Sequence, residues 1–140
     1  MDIYKCLIEK MTMMATSKNL NIFEHLNRLF SKELNDILDR ELHNKNRLNL
    51  YSLGEYWAAF DKSAYLLDQM TEEKVESSVL HLKNHPFPLL MCSVHNKKVK
   101  ELSRNHIITR NHSDSIQLLS QTIDPAHYNN WYMRCMDDEV

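Results

Sequence analysis

Two runs in the first third of the chain carry apolar residues three and four positions apart. In residues 2–15 the spacing of Ile3, Leu7 and Met11 predicts an amphipathic helix. A second stripe predicts a helix that starts at Asn21, in an Asn-Ile-Phe-Glu capping box, and ends near His43. Its apolar side is assigned to Phe23, Leu26, Phe30, Leu34, Ile37, Leu38 and Leu42, and its solvent side to Glu33, Asp36, Asp39, Arg40 and Glu41. We therefore predict an N-terminal helical hairpin over residues 1–45.

Strand and helix patterns alternate from residue 46 onward. RLNLYSL predicts a strand, YWAAF its return strand, and KSAYLLDQM a short helix that Asp61 is expected to cap. Further strands are expected in SSVLHL, PLLMCSV and IQLLSQTI, a basic helix over 96–105, and an irregular stretch over 108–115. Asp124 is expected to cap a last helix. The pattern predicts an α+β (mixed α/β) domain over 46–125, then a C-terminal helix and acidic tail over 126–140.

Composition restricts the chemistry. The 140 residues include a single glycine, Gly54, so the chain has no Gly-rich phosphate loop of the Rossmann or ATPase type. Cys6, Cys92 and Cys135 are odd in number and far apart, which favours reduced thiols over a disulfide framework or a zinc site. No acid–base or nucleophile pattern stands out. We therefore predict a non-enzymatic protein with no catalytic residues, no metal and no cofactor.

The chain also lacks signals for a membrane. Its first ten residues, MDIYKCLIEK, mix acidic and basic side chains and do not resemble a secretory signal. Its apolar runs, such as PLLMCSV, are of strand length rather than of membrane-spanning length. We expect a cytoplasmic protein with no membrane partner.

Basic residues are concentrated in one segment of a slightly acidic chain. The formal net charge is −2 at pH 7, yet residues 83–123 hold six basic and two acidic side chains. Four of the basic ones lie in the predicted helix NKKVKELSRN, namely Lys97, Lys98, Lys100 and Arg104. A local basic patch is typical of phosphate contact. The alternative is a solvated helix face.

The run LNLYSLGEYWAAFDKSAYLLDQ resembles domain I, the mismatch-recognition domain, of the MutS mismatch-repair family. There a strand leads into Gly-Asp-Phe-Tyr-Glu-x-Phe, acidic residues, Ala and a helix; Gly54, Tyr56 and Phe60 match that pattern. PLLMCSVHNKKVKELSRN followed by IQLLSQTIDP is similar to the family's later order of strand, His, helix, strand and Asp-Pro. The resemblance covers residues 47–125 and implies a domain I-like mixed sheet with flanking helices.

The resemblance also implies a role for the hairpin corner. The family inserts its Phe between DNA bases, and Tyr56 at that position keeps a flat ring that can stack. Trp57 matches the family's Tyr, for which packing at the corner is expected. Ala58 stands where the family's Glu hydrogen-bonds the displaced base, so we expect sensitivity to DNA shape rather than reading of a mismatched base.

The sequence thus favours a nucleic-acid-binding protein that senses distorted or mismatched duplex DNA without an ATPase. Its predicted site combines Gly54, Tyr56 and Trp57 at the corner with phosphate contacts from Lys97, Lys98, Lys100 and Arg104. The alternative is a protein-interaction adaptor or homodimerising module, in which the amphipathic N-terminal helices dock a partner and DNA reading has been lost.

Overall fold

The computed structural model describes residues 17–83 and 85–137, with side chains from residue 22 onward. The helix predicted over 2–15, Cys6 and the end of the acidic tail lie outside the described residues. In the described part of the chain, no helix is both long and apolar enough to cross a membrane.

Four helices and six strands make up the described chain. In order they are α1 (Ser17–Leu42), β1 (Arg47–Leu53), β2 (Tyr56–Phe60), α2 (Asp61–Met70), β3 (Glu76–Leu80), β4 (Leu89–His95), α3 (Asn96–Asn105), β5 (Ile108–Asn111), β6 (Ser115–Leu119) and α4 (Pro125–Asp137). The predicted α+β class is confirmed. The basic helix has the predicted bounds, and Asp124 accepts hydrogen bonds from the amides of Ala126 and His127 as the expected cap of α4.

The strands form one sheet in the order β3-β4-β2-β1-β6-β5. All five pairings are antiparallel, so the expectation of a mixed sheet is wrong. The β1–β2 turn, the β5–β6 turn and the β4–α3 junction therefore share one end of the sheet, which we call the hairpin end. The β2–α2 junction and the β3–β4 loop lie at the other end, which we call the junction end.

Helices cover both faces of the sheet. On one face α1 buries its apolar stripe against the alternate positions Tyr51, Leu53, Ala58 and Phe60. On the other face α2, α3 and α4 pack over Leu48, Leu50, Trp57, Ala59, Leu90, Cys92 and Val94. Because β1 and β2 are covered on both faces, their burial is nearly continuous and does not alternate.

Four local predictions are corrected. Asn21 lies inside α1, so it does not mark the start of that helix. Leu42 is 68% exposed, and Glu41, assigned to the solvent side, is 2% exposed. Residues 108–115, expected to be irregular, contain β5 and the start of β6. The segment has a weak β-strand propensity of its own, and pairing with β6 stabilises it as a strand.

Asp61 does not cap α2. The helix follows β2 with no residue between them, and the chain turns at Asp61 with a left-handed φ of 44°. The residue before the helix, Phe60, offers no side-chain cap. The Asp61 Oδ1 atom instead accepts a hydrogen bond from the amide of Leu90 in β4 at 2.9 Å.

The carboxylate of Glu41 takes the place of that cap. Its Oε1 atom accepts the amide N–H of Ser63 in the first turn of α2 at 2.8 Å, and its Oε2 atom accepts the Ser63 hydroxyl at 2.7 Å. The side-chain amides of Asn44 and Asn49 donate to the same carboxylate at 3.1 Å. A residue at the end of α1 therefore satisfies the N-terminus of α2 and ties both to β1.

Burial raises the pKa of Glu41 above its ordinary value of 4.5, although the hydrogen bonds from Ser63, Asn44 and Asn49 act in the opposite direction. Desolvation disfavours the charged form, and donors stabilise it.

Replacing Glu41 with Ala should lower the free energy of unfolding by about 2–4 kcal/mol, because buried donors of Ser63, Asn44 and Asn49 would lose their acceptor. Urea unfolding measures the change. Asp36→Ala, at an exposed position of the same helix, is the matched control and should cost less than about 0.5 kcal/mol. Equal losses in the two variants would contradict the assigned role.

The raised pKa of Glu41 also predicts a pH trend. The stability that its proton contributes is fully present below pH 4.5 and is lost as pH rises through the folded-state pKa. The stability of the native protein relative to Glu41→Gln should therefore fall with rising pH, by at most about 1.4 kcal/mol per pH unit. Both proteins keep Asp61, and because Glu41 raises the pKa of Asp61, the remaining difference in its titration acts in the same direction. A difference that grows with pH would refute the trend.

Candidate nucleic-acid interface

Gly54 makes the corner of the β1–β2 hairpin. Leu53 pairs with Tyr56, which leaves a loop of Gly54 and Glu55, both exposed. Gly54 has a φ of 87°, and Glu55 does not have a positive φ. A glycine with positive φ at the first of two loop positions is the pattern of a type II′ turn, whose twist suits a tight hairpin.

The first residue of α3 is hydrogen-bonded to this corner. The backbone N–H of Asn96 donates to the carbonyl oxygen of Glu55 at 2.9 Å. The Asn96 side-chain oxygen accepts the indole N–H of Trp57 at 3.1 Å. Two segments about forty positions apart in sequence are therefore held together, and α3 begins beside the hairpin turn.

Tyr56 and His95 complete the junction. They pair across β2 and β4, and their rings meet edge to face with centroids 5.3 Å apart and planes at 88°. The His95 Nδ1 atom accepts the amide of Lys97 at 3.1 Å, which makes His95 the N-cap of α3. Tyr56 is half-buried, at the edge of the layer that α1 covers, and only part of its surface reaches solvent.

Lys97, Lys100 and Arg104 form a basic stripe along α3. Steps of three and four residues place them on one side of the helix, opposite the buried Val99 and Leu102. All three are exposed. The stripe starts at the hairpin corner and runs about 10 Å along the helix axis.

Lys98 lies apart from this stripe. Its side chain is 24% exposed and forms an ion pair with Glu101 at 3.5 Å, one turn along the helix. Of the four basic side chains predicted to contact phosphate, Lys98 is thus the least available.

Two residues of the corner are core residues. Trp57 is 7% exposed and packs under α3, so it holds the corner in place rather than facing a ligand. Ala58 is fully buried beneath α1. Ala58 stands at the position of the Glu in the MutS domain I pattern, and its buried methyl group cannot contact a base.

The β5–β6 turn joins the same end of the sheet. The amide of Ser52 donates to the carbonyl oxygen of Asp114 at 2.9 Å, and the exposed Arg110 lies in β5. Sequence reasoning missed this contribution because β5 was expected to be irregular. The turn-forming residues around Ser113 and Asp114 are the signal that a hairpin leaves in the sequence.

Burial disfavours ionisation of the Cys92 thiol and raises its pKa to about 12, which is typical of an unreactive thiol. Cys92 and Cys135 do not form a disulfide with each other. Within residues 17–83 and 85–137, no group of three metal-ligating side chains occurs.

The alternative hypothesis, in which a partner protein docks on the N-terminal helices, requires an apolar helix face that does not already pack against the rest of the molecule. The stripe of α1 is used within the molecule, since Ile22, Leu26, Phe30 and Ile37 pack on its own sheet. The helix predicted over 2–15 lies outside the described residues.

Comparison of the chain with protein-family models, with curated proteins and with solved structures gives no match.

Gly54→Ala should lower the free energy of unfolding by about 1–2 kcal/mol, because a Cβ atom is disfavoured at positive φ. Gly54→Asn should cost less, since asparagine tolerates such turns better. Urea unfolding of the two variants tests the assignment. An alanine variant as stable as the native protein would mean that the corner does not need this backbone conformation.

Proposed function

We propose that this protein binds duplex DNA at the hairpin end of its sheet and prefers DNA that is bent, bulged or mismatched. The observation that carries the proposal is the contact between the Gly54–Glu55 turn and the start of α3. It holds the hairpin corner, from which Tyr56 follows, next to the first residue of the basic helix, although the two segments are distant in sequence. Phosphate contacts and an aromatic side chain at a rigid corner are the parts that recognition of distorted DNA requires.

The order of the elements supports the proposal. From β1 to β6 the elements run strand, strand, helix, strand, strand, helix, strand and strand, which includes the order of motifs on which the resemblance to MutS domain I is based. The antiparallel sheet departs from the mixed sheet that the resemblance implies. A shared fold does not by itself carry a function. The argument therefore depends on the residues at the hairpin end.

The exposure and charge of the side chains suggest which group makes which contact with DNA. Lys97, Lys100 and Arg104 contact phosphates, which supplies affinity without sequence preference. The exposed part of Tyr56 stacks where a base step opens easily, so the energy of deforming the DNA sets the preference. Ala58 is buried and has no carboxylate, so the residue at the position of the family's Glu cannot hydrogen-bond a displaced base.

Binding to a short duplex with a single-base bulge, followed by fluorescence anisotropy between about 50 and 200 mM salt, tests the phosphate contacts. Three contacts predict a slope of about −2.7 in log affinity against log salt. Lys97→Gln should reduce the slope by about 1. Lys45→Gln, exposed and at the junction end of the sheet, is the matched control and should leave the slope unchanged.

Tyr56 is tested by comparing the bulged duplex with a fully paired one. Tyr56→Ala should lower affinity for the bulged duplex about tenfold, the scale of one lost base–aromatic stack, and leave paired DNA little affected. Tyr56→Phe should retain the preference. No binding at low salt, or equal binding by the native protein, Tyr56→Ala and Lys97→Gln, would refute the proposed function.

A further inference from the structure

A cavity of about 620 Å³ opens at the junction end of the sheet, away from the proposed DNA surface. Pockets for small molecules have volumes of this order. Four elements line it: the last turn of α1, the start of α2, the β3–β4 loop and α4. The cavity lies between α1, which packs on one face of the sheet, and α2 and α4, which pack on the other.

Asp61 lines this cavity and has an unusual position. It is the only residue other than glycine with a positive φ in the described part of the chain, at 44°. Strained backbone of this kind is concentrated at functional sites. One carboxylate oxygen accepts the Leu90 amide, and within residues 17–83 and 85–137 no hydrogen bond or ion pair reaches the other oxygen.

Asp61 is largely removed from solvent. Burial raises its pKa to about 7, and the nearby Glu41 raises it further, whereas the Leu90 hydrogen bond and the charge of Lys62 act in the opposite direction. A cation placed beside this carboxylate would relieve the cost of its charge. Glu41 lines the same cavity, but its oxygens are already occupied by Ser63, Asn44 and Asn49.

Aromatic side chains surround the acid. Phe87, Tyr128 and Tyr132 line the cavity, and Phe87 is 68% exposed at its rim. The hydroxyl of Tyr132 donates to the carbonyl oxygen of Pro88 at 2.6 Å, which holds its ring in place. Aromatic faces attract cations and also bury apolar groups.

The position of Lys62 shows that an ammonium group fits beside the aromatic ring of Tyr128. Its Nζ atom lies 6.0 Å from the centroid of the Tyr128 ring and donates to the carbonyl oxygen of Leu42 at 3.0 Å. It forms no ion pair with Asp61 in the described part of the chain. The carboxylate therefore remains available to a second cation.

We propose that this cavity binds a small organic ammonium ion with an aromatic or aliphatic body, whose charged nitrogen pairs with the Asp61 carboxylate. The apolar body lies against Phe87, Tyr128 and Tyr132. The proposal is independent of DNA binding, since the two surfaces lie at opposite ends of β2, separated by roughly 17 Å of strand.

Several titratable groups face the same space. They are Asp39 and Glu41 from α1, Lys62 from α2, His85 from the β3–β4 loop, and Tyr128 and Tyr132 from α4. Between pH 6 and 8 we expect Asp61 to lose its proton, which favours a bound cation. His85 faces the same space, and a positive charge on its ring would oppose a bound cation, so the experiment needs a variant at each position.

The test uses 2-phenylethylamine as the probe and amide chemical shifts of the labelled protein as the readout. Binding should move the amides of Lys62 and Leu90, and affinity should fall about tenfold from pH 8 to pH 6 as Asp61 is protonated. Asp61→Asn keeps an oxygen for the Leu90 amide and tolerates a left-handed φ. It should lose most of the affinity and of the pH dependence.

Two variants and two ligands provide the controls. His85→Gln should retain most of the pH dependence, and Asp114→Asn, at the hairpin end of the sheet, should bind like the native protein. The uncharged analogue 2-phenylethanol should bind at least tenfold more weakly than the amine at pH 8. Equal binding of alcohol and amine, preference for phenylacetate, unchanged affinity in Asp61→Asn, or no binding of the amine would each overturn the proposal.

Discussion

Glu41, at the end of α1, accepts hydrogen bonds from Ser63 in the first turn of α2 and from Asn49 in β1. Because α2 begins directly after β2, it has no loop residue to cap it, and the acceptor must come from elsewhere in the fold. The buried carboxylate fixes α1 on one face of the sheet relative to α2 on the other. The positions of both helix layers depend on this cluster.

The antiparallel sheet then separates two chemistries. At the hairpin end, backbone and side-chain hydrogen bonds from Asn96 join the Gly54 corner to a helix with three exposed cations on one side. At the junction end, Asp61 lies in a cavity beside aromatic rings. A solvated basic surface suits a polyanion, and a desolvated carboxylate suits a small cation. The two proposed sites therefore differ in ligand class for a physical reason.

Much of the local structure could be predicted from the sequence. The strand pattern of RLNLYSL, the bounds of the basic helix and the cap at Asp124 depend on nearby residues, and the structure confirms them. The strand β5 and the burial of Glu41 were not predicted from these patterns. β5 depends on pairing with β6 across the turn at Ser113 and Asp114 rather than on a strand pattern of its own. The burial of Glu41 depends on Ser63 in α2, and a helical wheel cannot show that the α1 end meets another helix.

The sequence alone determined the class of fold, the one position where glycine permits a tight turn, and the concentration of basic residues in 83–123. These are properties of composition and of short-range spacing. Only the tertiary structure decided that the start of the basic helix contacts the hairpin corner, that Trp57 and Ala58 are buried, and that Asp61 lines a cavity. Hydrogen bonds and burial between distant segments settle such questions, and local patterns carry no information on them.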